Sequence, residues 1–434
     1  MTHQVIILGG GASGLFCAAN LAERGLSVLL LEGQGRLGRK LLLSGGGKCN
    51  ITNLQLSPVN YLSENPEFCA PALDAFGPEQ MLGFLREQKI ALEEREYSQI
   101  FCRRGAQELR DALLRLCGQA SSTSLNSLTK AATGPKTATE ILLNQKNIRV
   151  SALREAGAPE LFKVACEGGV FSAPNLVVAT GSGAWPKSGA TDFGQKLALS
   201  FGHSLVPARP ALTPLAMPKT WPLHGLSGID LPVRLGVRAS APVTAPLTTP
   251  FTAMTPVFER PLLFTHNGIS GPACLQISGY LQAGETLWID FLPQTSCEEL
   301  FNQAGSGKVL LGNLLARYLP ERLVAALVPQ NLRQRKTAEL SRAGREEVSA
   351  AVHRHEVVPL RPSFERAEAA RGGVCTLEVC PRTMESLKQK GLFFCGEVLD
   401  VCGQLGGYNL HWAFASAYAC ACSCATPAPA IVFK

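Results

Sequence analysis

Apolar residues run unbroken over Val5-Ile6-Ile7-Leu8 and again over Val28-Leu29-Leu30-Leu31, and between these runs they follow a helical pattern. Short apolar runs bounded by turn residues predict strands buried on both faces, joined here by a helix. The first run feeds Gly9-Gly10-Gly11-Ala12-Ser13-Gly14, and the second ends on Glu32. Strand, Gly-rich turn, helix, second strand and terminal acid are the layout of a dinucleotide-binding unit. Gly9 permits the tight turn, Gly11 lets backbone approach a pyrophosphate, and Gly14 lets the helix pack close to the strand. The helix N-terminus aims unpaired N–H groups at the phosphates. Glu32 follows Gly14 by 18 positions. Its carboxylate would accept hydrogen bonds from ribose hydroxyls and repel a 2′-phosphate.

The pattern then changes several times. From about 54 to 118 it is mainly helical, with apolar residues at helical spacing over Pro78–Leu85 and Ala106–Leu116. Residues 119–137 are rich in Ser, Thr and Ala and lack a period, so they read as a loop or insertion. Strands are expected at Ile148–Val150 and Phe162–Ala165, and at the run Asn175-Leu176-Val177-Val178, which ends in Ala179-Thr180-Gly181. Such a strand end is where a nucleotide fold meets the adenosine side of its ligand. Prolines and alternating runs such as Val233–Val237 and Thr286–Phe291 mark residues 195–295 as an inserted β-rich domain. Ser296-Cys297-Glu298-Glu299 fits a capping box that opens a helical region, taken as 296–355. Residues 356–434 return to nucleotide-fold texture: Leu392-Phe393-Phe394-Cys395 ends in Gly396-Glu397, and Gly406-Gly407-Tyr408-Asn409 opens an Ala-rich helix. The fold class is therefore α/β, with a Rossmann-type domain built from 1–194 and 356–434 around the two inserted regions.

Composition narrows the function classes. With 434 residues, 46% hydrophobic and 17% charged, the chain is globular and large enough for two or three domains. The net charge of +7 is scattered. Its densest stretch, Arg333 to Arg345, reads as a solvated helix face, and nucleic acid is not the expected partner. The 15 cysteines show no CxxC spacing, so neither a zinc site nor a disulfide framework is indicated. They read as buried thiols of a reduced, cytoplasmic protein. The stretch Trp412 to Phe433 carries no charge, but Pro427 and Pro429 interrupt it. It reads as a core helix and not a membrane span.

A second cluster follows the ribose acid. Gly35-Arg36-Leu37-Gly38-Arg39-Lys40 leads through three leucines to Ser44-Gly45-Gly46-Gly47-Lys48-Cys49-Asn50-Ile51-Thr52-Asn53. Glycines expose backbone donors, and basic groups can sit against phosphate or the electron-rich edge of a flavin. These blocks, with VVATGSGAWPKSGATDFG, LLFTHNGISGPACLQIS and GLFFCGEVLDVCGQLGGYNLHWAFASA, resemble a bacterial family of FAD-dependent oxidoreductases. That family includes aminoacetone oxidase-like proteins and reductases of unsaturated bile-acid ketones. The resemblance implies that Gly9, Gly11, Ala12, Ser13 and Gly14 hold the pyrophosphate of FAD and that Glu32 holds the adenosine ribose. It implies that Arg39, Lys40, Ser44, Gly46 and Gly47 lie near pyrophosphate and isoalloxazine, and that Thr180 and Gly181 flank adenosine. It places Glu397, after Gly396, with Gly407, Tyr408 and Asn409 at the ribityl and flavin end. The chain departs from the family at Phe101-Cys102-Arg103-Arg104, where Phe-Pro is usual, and at Cys402, where an acid is usual.

The chemistry expected is hydride transfer between a small amine or enone-like substrate and the flavin, with reoxidation by O₂ or reduction by NAD(P)H. Nothing marks a second dinucleotide domain. His266, beside a Gly-containing turn, and Tyr408 are the candidates for proton handling, with His411 a third. Two other classes stay open: an FAD enzyme that works on RNA, and a non-catalytic flavin-binding redox protein.

Overall fold

The structure, a computed structural model, describes residues 3–118, 139–153, 161–238, 256–303 and 307–425. The 119–137 stretch and the end of the uncharged tail lie outside these residues. Contacts divide the chain into two compact units, Met1–Arg209 with Ala369–Lys434, and Pro210–Glu368.

The first unit is built on a parallel sheet. Strand β1 (Val5–Leu8) pairs on one side with β2 (Val28–Leu31) and on the other with Asn175–Val178. Glu140–Leu142 and Leu392–Phe394 complete the two edges. In chain order the sheet reads 3-2-1-4-5, so the direction of winding reverses between β1 and Asn175–Val178. Ligands of open α/β sheets bind outside the strand ends at such a reversal. The unbroken apolar runs have the expected cause: every residue of β1 and β2 is buried. Helix α1 (Ala12–Glu23) packs against the closing helix Tyr408–Ala425, where Phe16 meets Phe414 with ring centroids 4.4 Å apart. That closing helix takes in the uncharged stretch from Trp412 to Ala425, and its core residues Trp412, Phe414 and Cys420 are buried.

Beside this sheet the segment read as mainly helical also supplies strands. Asn50–Asn53, Gln99–Cys102 and Leu92–Arg95 form an antiparallel sheet, with Leu92–Arg95 at its edge. Its sequence, Leu-Glu-Glu-Arg, lacks the apolar alternation of a half-buried strand because both faces stay partly exposed.

In the second unit a six-stranded antiparallel sheet runs Leu215–Ala216, Gly268–Ser270, Phe258–Thr265, Asp230–Arg238, Thr286–Asp290 and His355–Val357. Its helices, among them Cys297–Gln303, Glu321–Leu327 and Arg342–His353, share one apolar core with that sheet. The capping box forms as the sequence implies: Glu299 N–H donates to Ser296 Oγ (3.2 Å), and Ser296 N–H donates to Glu299 (2.9 Å). The basic stretch Arg333–Arg345 is not one helix face. It is split between the end of Gln330–Arg333, the turn Thr337–Glu339 and the start of Arg342–His353.

Candidate functional site

The three fingerprint glycines do different work. A Cβ on Gly14 would lie 1.9 Å from the Gly9 carbonyl oxygen, and one on Gly9 (φ +104°) 2.6 Å from the Ala179 oxygen. These two positions let helix and neighbouring strand close onto the turn. A Cβ on Gly11 would meet nothing within 4 Å. Gly11 caps α1, no side chain caps it in turn, and the first turn holds no acid. The helix start therefore presents bare backbone to open space, which suits a pyrophosphate. Ala12 and Ser13 belong to this first turn, and Ser13 Oγ would lie 2.7 Å from a Cβ on Gly396, so the late strand end sits against it.

Glu32 is held at the end of β2 by two backbone donors, Gly10 N–H (2.7 Å) and Gln34 N–H (2.8 Å). The fingerprint turn and the acid are thus fixed to each other. Across the sheet reversal, Thr180 Oγ1 is buried with no hydrogen-bond partner. Gly194 is what leaves room for it, since a Cβ there would lie 2.0 Å away. An orphaned buried hydroxyl at a strand end is the mark of a missing partner.

The basic block is placed by ion pairs and hydrogen bonds. Arg39 donates to Gln34 Oε1 (2.9 Å) and to the Lys187 carbonyl (3.0 Å). Lys40 pairs with Glu397 Oε2 at 2.7 Å, joining the early and late halves of the unit. The other Glu397 oxygen accepts from Ala370 N–H (3.0 Å), and Gly181 is close enough that a Cβ would lie 3.9 Å from Glu397. Ser44 turns inward to its own helix, donating to the Leu41 carbonyl at 2.7 Å. Gly45, Gly46 and Gly47 all take positive φ (55°, 65° and 85°), a left-handed run that side chains disfavour. Gly46 faces open space.

Asn50 to Asn53, quoted in the sequence only as part of a motif, forms the floor beneath the closing helix. A Cβ on Gly407 (φ +97°) would lie 2.6 Å from the Thr52 carbonyl. Asn53 donates to the Gly406 carbonyl (3.2 Å), and Tyr61 donates its hydroxyl to the Tyr408 carbonyl (3.0 Å). Asn50 Nδ2 donates to Gln99 (2.6 Å), while its Oδ1 is buried without a partner beside Gly407. Sequence reasoning missed Asn50 as a ligand candidate; its one signal was its place after the glycine run.

The proton-handling candidates separate. His411 Nε2 lies 2.8 Å from the Phe76 carbonyl, so that nitrogen carries hydrogen and Nδ1 accepts from the Thr52 hydroxyl at 2.7 Å. Burial holds its pKa down at about 4. It is a neutral core histidine. Asn409 closes both of its amide groups on the Gly403 backbone, at 2.8 and 2.7 Å. Tyr408 is buried, and its ring meets that of Tyr61 edge to face. His266 lies in the second unit, exposed in the hairpin turn between Phe258–Thr265 and Gly268–Ser270. Among the described residues no cluster could hold a metal ion, and no helix is long and apolar enough to cross a membrane.

The residues fit a dinucleotide cofactor. Bare glycine backbone stands at Gly11, where the fingerprint puts the pyrophosphate, and at Gly46, and the buried Thr180 Oγ1 and Asn50 Oδ1 lack a partner. Comparison with known proteins agrees with this architecture. The chain is 38% identical over 418 residues to the ribosomal RNA dihydrouridine synthase of Haemophilus influenzae, covering 95% of this chain and 96% of that protein. It is 37% identical to the Escherichia coli protein of the same name, covering 96% of each. It is 29% identical to a 3-dehydro-bile acid delta(4,6)-reductase of Clostridium scindens, covering 96% of this chain and 97% of that protein. The family model described as HI0933-like protein Rossmann domain matches residues 3–423, and the chain belongs to that family.

Proposed function

We propose that the chain is an FAD-dependent reductase of a carbon–carbon double bond conjugated to a carbonyl, with a uracil ring in RNA as its substrate. One observation carries the reading: a complete dinucleotide cradle stands in a chain that aligns over nearly its full length with proteins named for such reductions. Making dihydrouridine saturates a ring double bond conjugated to a carbonyl, and a delta(4,6)-reductase saturates an enone of the same kind. FAD, when bound, supplies the hydride, and NAD(P)H would replenish it.

The chain's own residues bind and orient. Gly11 and the start of α1 would take the pyrophosphate, Glu32 the adenosine ribose, and Thr180 with Gly181 the adenosine side. Lys40, Glu397, Gly46, Gly407 and Asn50 would surround the ribityl and ring end. Tyr408 and His266 are the proton-handling candidates, Tyr408 from within this unit. The scattered +7 charge did not favour nucleic acid from composition alone, and the two synthase relatives outweigh it here. A small enone is the second reading, favoured by the reductase relative. Oxidation of a small amine such as aminoacetone is the branch that the test separates.

The test is anaerobic. Purified protein is loaded with FAD, reduced with NADH or NADPH, and mixed with uridine-containing ribosomal RNA, with a steroid dienone, or with nothing. Return of the oxidised flavin band with RNA, together with dihydrouridine in the digested product, is the expected result. Return with the dienone alone selects the second reading. Bleaching of oxidised flavin by an amine, with peroxide released in air, overturns the reductase assignment. A protein that takes up no FAD overturns the cofactor.

A further inference from the structure

Arg371 is the one partly exposed residue of the strand Ala369–Val374; the other five are buried. Among the described residues no hydrogen bond or ion pair reaches its guanidinium. The backbone on either side is committed. Ala370 N–H donates to Glu397 (3.0 Å), and Gly372 N–H donates to Asp400 Oδ1 (3.1 Å). Both carboxylates are already served by other donors: Glu397 by Lys40 (2.7 Å), Asp400 by Glu64 N–H (2.8 Å) and the Ser63 hydroxyl (3.4 Å). Arg371 is therefore a surplus cation at the end of the unit where Glu397 stands.

The strand cannot swing away to solvate it. Gly372 and Gly373 take φ +89° and +148°, and Cβ atoms there would lie 2.5 Å from the Pro207 oxygen and 2.6 Å from the Val398 oxygen. Burial and the Glu397 charge push the Cys402 thiol up to about 12, while Arg371 and Lys40 both pull against them. The two cations thus act on one small region. Arg371 draws the Asp400 carboxyl down against its burial but makes no ion pair with it among the described residues, and a half-buried guanidinium without a hydrogen-bonded anion has a planar fork open to a phosphate, carboxylate or enolate oxygen.

We propose that Arg371 is a substrate-binding residue that takes an anionic oxygen of the substrate, an inference that rests on the reductase reading above. The oxygen has two sources. One is a phosphate of the substrate, charged throughout. The other is the conjugated carbonyl oxygen: hydride from reduced FAD bonds to the β-carbon, the π pair moves onto that oxygen as an enolate, and a solvent proton then bonds to the α-carbon. The substrate gains two electrons and the flavin loses them.

The test uses Arg371→Gln and Arg371→Lys in the full chain. FAD content is measured first. Inorganic phosphate is then titrated calorimetrically with and without FAD, since FAD occupies the helix start that would otherwise take the anion. In R371Q, phosphate affinity or turnover falls by about tenfold or more, and R371K recovers part of the loss. Weaker phosphate binding with raised KM and unchanged kcat identifies the phosphate source. Lowered kcat with unchanged KM identifies the enolate. Wild-type phosphate binding together with wild-type KM and kcat in R371Q overturns the proposal. A chain that takes up no FAD overturns the cofactor reading and with it the enolate source, and unchanged phosphate affinity of R371Q on that same sample overturns the phosphate source.

Discussion

The two units differ in where their buried polar groups are closed off and where they are left open. In the Pro210–Glu368 unit the histidines near the core are closed off: Trp221 Nε1 donates to His355 (3.0 Å), His353 bridges Asp290 (2.8 Å) and Cys297 N–H (3.1 Å), and His224 bonds the Pro218 carbonyl (2.6 Å). In the Rossmann unit His411 is closed off in the same manner, yet Thr180 Oγ1 and Asn50 Oδ1 are left buried and unpaired. Both lie next to glycines, Gly194 and Gly407. A buried polar atom without a partner costs free energy comparable to a lost hydrogen bond. Gln195 Oε1 in the same unit and Thr337 Oγ1 in the other are unpaired too, but Thr180 and Asn50 stand at the strand end and beside the glycine run of the fingerprint, and that placing marks this unit as the one built around a ligand.

The strongest way to break the comparison is to separate packing glycines from cradle glycines. Gly14→Ala puts a carbon 1.9 Å from a backbone oxygen that has nowhere to go. It should cost 3 kcal/mol or more of stability, roughly, and give insoluble or FAD-free protein, seen in soluble yield and urea unfolding. Gly11→Ala meets no atom of the protein. Its unfolding midpoint without cofactor should match wild type while FAD affinity drops by about tenfold or more. Equal behaviour of the two variants would contradict the division of labour.

Next comes the orphaned hydroxyl. Thr180→Val keeps the shape and removes the unpaired group, so the cofactor-free protein should be as stable as wild type or slightly more so. FAD binding should weaken by about fivefold to tenfold, read by fluorescence titration. A loss of cofactor-free stability instead would mean that the hydroxyl has a protein partner.

The pH dependence tests what the units share. Burial lowers both His411 and His355 to about 4 from an ordinary 6.5. Between those values the unfolded chain binds protons that the folded chain refuses, so stability is full above about 6.5 and falls as pH drops toward 4. Each histidine accounts for on the order of 3 kcal/mol across that window. Urea midpoints measured from pH 7 to pH 4 should fall less steeply in His411→Asn and in His355→Asn. An unchanged slope in either variant removes that histidine from the account. The smallest effect expected is on the ion pair between the chain's two halves. Lys40→Met should change cofactor-free stability by about 1 kcal/mol or less, because the lysine side chain is 33% exposed.

Much of this was legible along the chain. The runs at Val5–Leu8 and Val28–Leu31, the turn between them and Glu32 define a dinucleotide unit because buried parallel strands and a tight helix entry leave few alternatives to apolar runs and glycine. The capping box at Ser296 and the uncharged closing helix were equally local, and so was the glycine run at 45–47. What proximity in space decides was not legible. Leu92–Arg95 has the composition of an exposed segment and becomes a strand only because Gln99–Cys102 pairs with it. His411 carries the same side chain as His266, and only the Thr52 hydroxyl and the Phe76 carbonyl, supplied from 359 and 335 positions away, make it a neutral core residue. Lys40 meets Glu397 across 357 positions, and Arg371 makes no ion pair among the described residues while Lys40, Glu64 and Ser63 serve its neighbouring carboxylates. Local patterns set the backbone and the cofactor class, because dihedral limits and burial act on consecutive residues. Which polar groups are paired and which are left open was decided by the tertiary structure, because hydrogen bonds and ion pairs depend on distances that the order of residues does not contain.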